Sequence, residues 1–173
     1  MIFGDVNDRA GEELASRLGP SVSYKHCDTS SYSEQLALFA LAEQLYGRVD
    51  IVVGNAGIVN YDDIFAPGKD WTQEPSMGEI DVNLKGVLFT TRIGMGYLRK
   101  SGGGDIVLTS STAGFKSSDG LATYTASKHG VVGLMRGLQN KAKEENIYIN
   151  VVLPYFTSKK SVHIPTRIVN NWV

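Results

Sequence analysis

The chain has 173 residues, 42% hydrophobic and 20% charged, the balance of an ordinary soluble globular domain. Seventeen basic residues against eighteen acidic ones leave a net charge of -1, so no electrostatic footprint for nucleic acid or an anionic membrane surface is expected. A single cysteine (Cys27) and three scattered histidines (His26, His129, His163) exclude a disulfide framework and argue against a metal site. No apolar run approaches the roughly 18 residues of a spanning helix. The first residues also lack the n- and h-regions of a secretory leader. A reducing, cytoplasmic setting is therefore expected.

In chain order, Ile2-Phe3-Gly4 is a short apolar stub ending at Asp5. Asn7 then caps a helix running to about Leu18, with Leu14 and Leu18 as its buried stripe and Gly19-Pro20 as its stop. Residues 21–26 read as a strand that leads to Asp28. Ser31 and Glu34 have capping-box spacing ahead of a helix with Leu38, Leu41 and Leu45 inward, closed by Gly47. Residues 49–53 form a solid apolar strand of the kind buried on both faces, running into Asn55-Ala56-Gly57. A polar and aromatic loop spans 58–74. Pro75 suits a first helical position, and a long helix to about Arg99 is ended by Gly102-Gly103-Gly104. A buried strand at 106–109 leads into Ser110-Ser111. A helix at 122–145 and a strand at 147–153 follow, and Pro154 opens an irregular tail. This alternation, five strands and four helices without a repeat, predicts an α/β domain with an open, mostly parallel sheet and helices on both faces.

In such sheets ligands bind beyond the carboxyl ends of the strands. The positions to weigh are therefore Asp5, Asp28, Asn55-Ala56-Gly57, Ser110-Ser111 and Pro154-Tyr155. Tyr124-Thr125-Ala126-Ser127-Lys128 is the sharpest local signal, because Tyr124 and Lys128 lie four apart on one helix face. A phenol near pKa 10 is a poor base at neutral pH, and a nearby ammonium favours its anion. By itself the pair also suits a solvated amphipathic face. Ser111 adds a hydroxyl thirteen residues before Tyr124, and Asn83 sits mid-helix, where its side chain competes with the backbone.

Asn55-Ala56-Gly57, Asn83, Ser111 and Tyr124-x-x-x-Lys128 together resemble the short-chain dehydrogenase/reductase family, in its order and spacing, from about residue 2 to Leu153. Asp5 and His26-Cys27-Asp28 match the family's second and third strand ends. Within the family the chain is most similar to NAD-dependent hydroxyprostaglandin- or hydroxysteroid-type dehydrogenases. The resemblance implies a Rossmann-like doubly wound fold and hydride transfer between NAD(H) and a secondary alcohol or ketone. It implies that Tyr124 is the general acid/base, that Lys128 lowers the phenol pKa and binds the nicotinamide ribose, and that Ser111 polarises the substrate oxygen. Asn83 would position a relay water. Asn55, Ala56 and Gly57 would line the adenosine side, Asp28 would meet the adenine, and Pro154 and Thr157 would contact the cofactor, Thr157 as a loose match. Asp5 implies NAD over NADP, since a carboxylate there binds the ribose 2'-hydroxyl and repels a 2'-phosphate. Arg9, one turn into the next helix, is the counter-argument.

The family's first strand, glycine-rich turn and helix, and its last strand, have no counterpart in these 173 residues. Neither Gly102-Gly103-Gly104 nor Gly94-Met95-Gly96 stands in the required strand–loop–helix context. The expectation is a partial NAD-binding domain at 1–153 with a tail at 154–173. Its sheet must close the gap, borrow a strand or stay frayed. Activity of the chain as written is expected to be weak or absent. The alternative is a non-catalytic relative acting through a partner or by dimerisation. Gly130, Gly133 and Gly137 permit either close approach of a second copy, through the helices at 75–99 and 122–145, or internal packing. No G-x-S-x-G elbow supports a serine hydrolase. Tyr46, Tyr61, Trp71 and Tyr97 read as core or loop aromatics.

Overall fold

The computed structural model describes residues 1–155. β1 (Ile2–Asp5) pairs in parallel with β2 (Ser23–His26), with Asp5 opposite His26. β3 (Ile51–Gly54), β4 (Gly104–Thr109) and β5 (Ile147–Val152) form a second parallel sheet in that order. The crossovers carry α1 (Asp8–Leu18), α2 (Tyr32–Tyr46), the short α3 (Gly78–Ile80) continuing through a π-helical turn (Asp81–Gly86) into α4 (Val87–Ser101), and α5 (Ala122–Glu144). This is the expected α/β arrangement of parallel strands flanked by helices. Among the described residues β1 does not pair with β3 and no strand joins them, so the gap stays open and the strands fall into two sheets.

Period-2 alternation decides which face each helix covers. A Cβ at Gly4 would stand 3.0 Å from Leu38 of α2, so Ile2 and Gly4 face that helix. Phe3 points the other way, its ring 5.5 Å from that of Tyr24. α1 lies on this second face and comes so close that a Cβ on Gly11 would fall 2.2 Å from the Tyr24 ring. In the larger sheet Val52 faces α4, where Gly94 leaves room for both its methyls. The core gathers on that side: Val52, Val87, Met95, Leu98, Ile106, Leu108, Val131 and Ile147 are all buried.

Four readings from the sequence change. The strand predicted at 49–53 begins at Ile51, and it is not buried on both faces: Ile51 and Val53 are 64% and 58% exposed. α4 covers the face of Val52 and Gly54, and no described helix covers the other. Leu18 is exposed because α1 closes on β2 through Gly11 and half-buried Leu14, one turn earlier. In α2 the buried positions are Gln35 and Ala42, and Leu45 is exposed. The helix turns to stack Phe39 on Tyr97 of α4 (centroids 5.5 Å) while Gln35 donates to the carbonyls of Thr29 and Gly86. The helix expected from Pro75 starts at Gly78 instead, and after one α-helical turn it passes through a π-helical stretch at Asp81–Gly86.

Asn7, Gly47 and Gly102 cap their helices as read. The Asn7 side chain accepts from Ala10 N, and Gly47 and Gly102 close α2 and α4 in left-handed conformations. No helix among the described residues is long and apolar enough to cross a membrane.

Candidate functional site

β4 ends in two serines whose side chains diverge. The Ser110 hydroxyl is buried and donates to the Lys128 carbonyl (2.8 Å), pinning the strand end to α5. Ser111, half-buried, caps a 3-10 turn (Thr112–Gly114), its Oγ accepting from Ala113 N at 3.2 Å. That leaves the Ser111 O–H free to donate elsewhere. The turn packs so tightly on α5 that a Cβ at Gly114 would stand 2.5 Å from Ser110 Oγ and 2.9 Å from the Lys128 carbonyl.

On α5, Tyr124 and Lys128 share a face as their spacing requires, with Nζ 5.7 Å from the phenol ring centroid. Lys128 is 3% exposed and donates to the Thr109 carbonyl at 3.1 Å. No carboxylate pairs with it among the described residues, and burial pushes its ammonium below the ordinary lysine range. A buried cation without a counter-ion costs more than the one hydrogen bond it makes returns. Lys128→Met is therefore expected to raise stability by about 0.5–2 kcal/mol at pH 7, as relief of functional-site burdens commonly does. The sign with pH follows from linkage: the unfolded chain holds this proton more tightly, so the native protein gains stability as pH rises towards the ordinary lysine value. The advantage of the variant should shrink over that window. Thermal unfolding of both proteins between pH 7 and 10 measures this.

Asn83 explains the irregular helix. Its Oδ1 accepts from Ile58 N (2.7 Å) and its Nδ2 donates to Ile58 O (2.8 Å), so the amide replaces a strand partner for the loop after β3. Nδ2 also reaches Ser127 Oγ at 3.2 Å, and Ser127 donates to the Tyr124 carbonyl at 2.7 Å. The fully buried Asn83 thus ties the loop, the π-helical turn and α5 together. Single π turns of this kind occur often at functional sites. Glu79, also buried, secures the same loop by accepting from Asn60 N at 2.7 Å. Gly57 fits between these groups: a Cβ there would lie 3.2 Å from Lys128 Nζ and 3.3 Å from Asn83 Oδ1.

The remaining sequence-predicted residues lie at other strand ends. Asn55 Oδ1 accepts from Thr109 Oγ1 at 3.0 Å, joining the ends of β3 and β4, and Ala56 is exposed. Asp5 is exposed at the end of β1, one oxygen accepting from Asn7 N at 2.9 Å. Asp28 accepts from the amide and hydroxyl of Ser30, both at 2.8 Å, which hold its carboxyl below the usual range. Pro154 is exposed, and its carbonyl accepts from Thr112 N at 3.0 Å, tying the end of β5 to the turn after Ser111. Thr157 lies outside the described residues, as does most of the expected tail. His129 is exposed, with Nδ1 3.0 Å from the Thr125 carbonyl.

Ser127, Glu79 and the Thr109 carbonyl are not singled out by the sequence, and Ser110 is marked there only as a strand-end position. Ser127 lay inside a quoted motif and carried a signal, being a small hydroxyl one position before the lysine on a buried helix face. The Thr109 carbonyl has no side-chain signature at all.

Comparison with known proteins gives the family. Residues 1–164 match the short chain dehydrogenase family. An uncharacterized oxidoreductase (MT2820) of Mycobacterium tuberculosis is 44% identical over 156 residues, covering 87% of this chain and 46% of that protein. The short-chain dehydrogenase/reductase prx4 of Penicillium rubens is 38% identical over 137 residues, 77% of this chain and 40% of its own. The (-)-trans-carveol dehydrogenase of Rhodococcus erythropolis is 36% identical over 153 residues, 87% of this chain and 53% of its own. The chain spans about half the length of the curated relatives it matches. With a family match over nearly the whole chain and relatives of this identity, the protein belongs to the short-chain dehydrogenases.

Proposed function

We propose that this chain carries the catalytic half of an NAD(H)-linked oxidoreductase acting on a secondary alcohol or ketone. The observation that carries the reading is the buried, carboxylate-free Lys128 ammonium lying over Tyr124 and beside Gly57 and Asn83. Burying an unpaired cation there is unfavourable for folding, and a ligand that supplies oxygen acceptors gives it a use. One of the three Lys128 N–H bonds goes to Thr109 O, and the remaining donors suit the hydroxyls of a nicotinamide ribose. Asp5 retains an oxygen for an adenosine ribose hydroxyl. The chain's own residues thus fit the two ribose ends of the cofactor.

The nicotinamide, when bound, supplies a site that accepts or returns a hydride. In the oxidation direction Tyr124 Oη takes the proton of the alcohol as the C–H bond breaks, and in reduction it returns that proton to the carbonyl oxygen. Lys128 stabilises the negative charge that develops on the phenol oxygen. Ser111 donates to the substrate oxygen, its own lone pair already engaged with Ala113 N. Asn83 holds the loop after β3 against α5, and its Oδ1 and Lys128 Nζ flank Gly57, where a relay water would carry the proton onward.

The test is a fluorescence titration with NADH and NADPH in parallel. NADH is expected to bind more tightly, because the Asp5 carboxylate opposes a 2'-phosphate. Tighter binding of NADPH overturns the cofactor assignment, and no binding of either at millimolar concentration counts against the reading as a whole. A homo-oligomer packed through α4 and α5 is part of the proposal: Gly130 packs internally on Leu84, but Cβ atoms at Gly133 and Gly137 would meet nothing within 4 Å.

A further inference from the structure

The ends of β1 and β2 are joined by a chain of polar contacts that the catalytic scheme does not use. Tyr24 Oη shares its single proton between the Asp5 carbonyl at 2.8 Å and Asp8 Oδ1 at 2.6 Å. The same Asp8 oxygen lies 2.8 Å from His26 Nδ1. On its other side His26 Nε2 is 3.8 Å from Glu34 Oε2, and that oxygen accepts from Asp28 N at 2.8 Å. Asp5 and Asp28 are the two carboxylates expected to meet the adenosine, and His26 stands between them, opposite Asp5 in the strand register.

Glu34 shows that this arrangement is not simply helix capping. The Ser31 hydroxyl accepts from Glu34 N as a capping box requires, yet the Glu34 carboxylate does not complete the box at its cap residue. It turns to Asp28 N and His26 instead.

We propose that His26 is a positioning residue for cofactor binding: when protonated it bridges Asp8 of α1 and Glu34 of α2, and so holds Asp5 and Asp28 in register at the two strand ends. The proposal rests on the cofactor reading above. Three carboxylates act on the imidazole, Asp8 from α1, Asp28 after β2 and Glu34 from α2, and Asp5 of β1 stands opposite His26 in the strand register. Lys25 on its own strand and Lys85, which faces Asp28, are the nearby cations. With a neutral imidazole the carboxylates repel one another and any ligand carrying phosphate. With a protonated one, both ring nitrogens donate and the net negative charge falls by one. Hydrogen bonding to Asp8 raises the His26 pKa above its ordinary value, and burial together with the Asp8 carboxylate pushes the Tyr24 phenol up, so Tyr24 remains a donor.

Two measurements on the 173-residue chain test this, one of them free of cofactor. In NMR, the His26 imidazole should titrate above the ordinary histidine value of about 6.5. The backbone amides of Asp28 and Asn7, whose acceptors belong to the network, should shift with the same midpoint. Independent midpoints, or no amide shift, overturn the coupling. In fluorescence, the NADH dissociation constant should rise about two- to fivefold between pH 6 and pH 8.5, the range set by a solvent-screened ion pair. His26→Gln should bind weakly and without that step. His26→Arg, charged throughout, should also lose the step but stay near the tighter limit. A pH step retained in His26→Gln, or absent from the native chain, overturns the role of His26 in binding. Coupled amide titration without NADH binding at any pH overturns the cofactor reading and leaves the coupling standing.

Discussion

Replacement of Tyr124 by phenylalanine is expected to lower NAD-linked turnover about 10²–10⁴-fold, the usual worth of a positioned general acid/base. Folding should be nearly unchanged. The phenol oxygen makes no hydrogen bond among the described residues, and the Ser127 hydroxyl bonds the Tyr124 main-chain carbonyl rather than the phenol. The ring contact with Lys128 Nζ, 5.7 Å from the centroid, survives the substitution as well. The change therefore removes one proton carrier and little else, with a stability effect within about 0.5 kcal/mol. NADH affinity should move far less than turnover. Steady-state rates at saturating NAD, set beside a thermal melt and an NADH titration, separate these effects. Turnover retained to within tenfold would remove Tyr124 from the mechanism.

The largest stability effect is expected at Gly104, the first residue of β4. Its φ of +148 is one that side-chain-bearing residues rarely adopt, and a Cβ there would stand 2.2 Å from the Asp50 carbonyl oxygen and 2.8 Å from a methyl of Leu98. The carbonyl cannot give way, because it already accepts from Asp105 N at 3.0 Å to start the β3–β4 pairing. Gly104→Ala thus combines backbone strain of about 1–3 kcal/mol with overpacking of about 1–3 kcal/mol. A total of roughly 3–5 kcal/mol follows, a large share of a typical domain's stability. Gly102 is the control. It too has positive φ, but a Cβ there would meet nothing within 4 Å, so Gly102→Ala should cost only about 1 kcal/mol. Equal losses in chemical denaturation would show that close approach to Asp50 is not what requires glycine at 104.

Much of this was legible in one dimension because the deciding interactions are local. Asn7, Gly47 and Gly102 cap their helices through atoms within a few residues of themselves, so their types announce their roles. Tyr124 and Lys128 meet because four residues make about one helical turn. Where burial depends on a distant element, the apolar pattern misled. Ile51 and Val53 have the composition of a doubly covered strand, but coverage is set by which helices arrive, and only one face receives one. Leu18 and Leu45 are exposed for the same reason: a helix buries the stripe its neighbours touch, and α2 turns to satisfy Gln35 and stack Phe39.

Asn83 marks the boundary between the two kinds of knowledge. Its mid-helix position signalled that a side chain was needed there, since Asn competes with helical backbone. That the competition is resolved by pairing with both polar groups of Ile58, twenty-five residues away, belongs to tertiary structure. The sequence by itself determined the alternation of strands and helices, the residues standing at their carboxyl ends, and the family those residues resemble. Only the tertiary structure decided that the sheet divides between β1 and β3, that Lys128 is buried with no carboxylate partner among the described residues, and that His26 lies between Asp8 and Glu34 of different helices. The reason is physical: propensity and capping act over one helical turn, whereas desolvation and charge pairing depend on groups brought together only when the chain has folded.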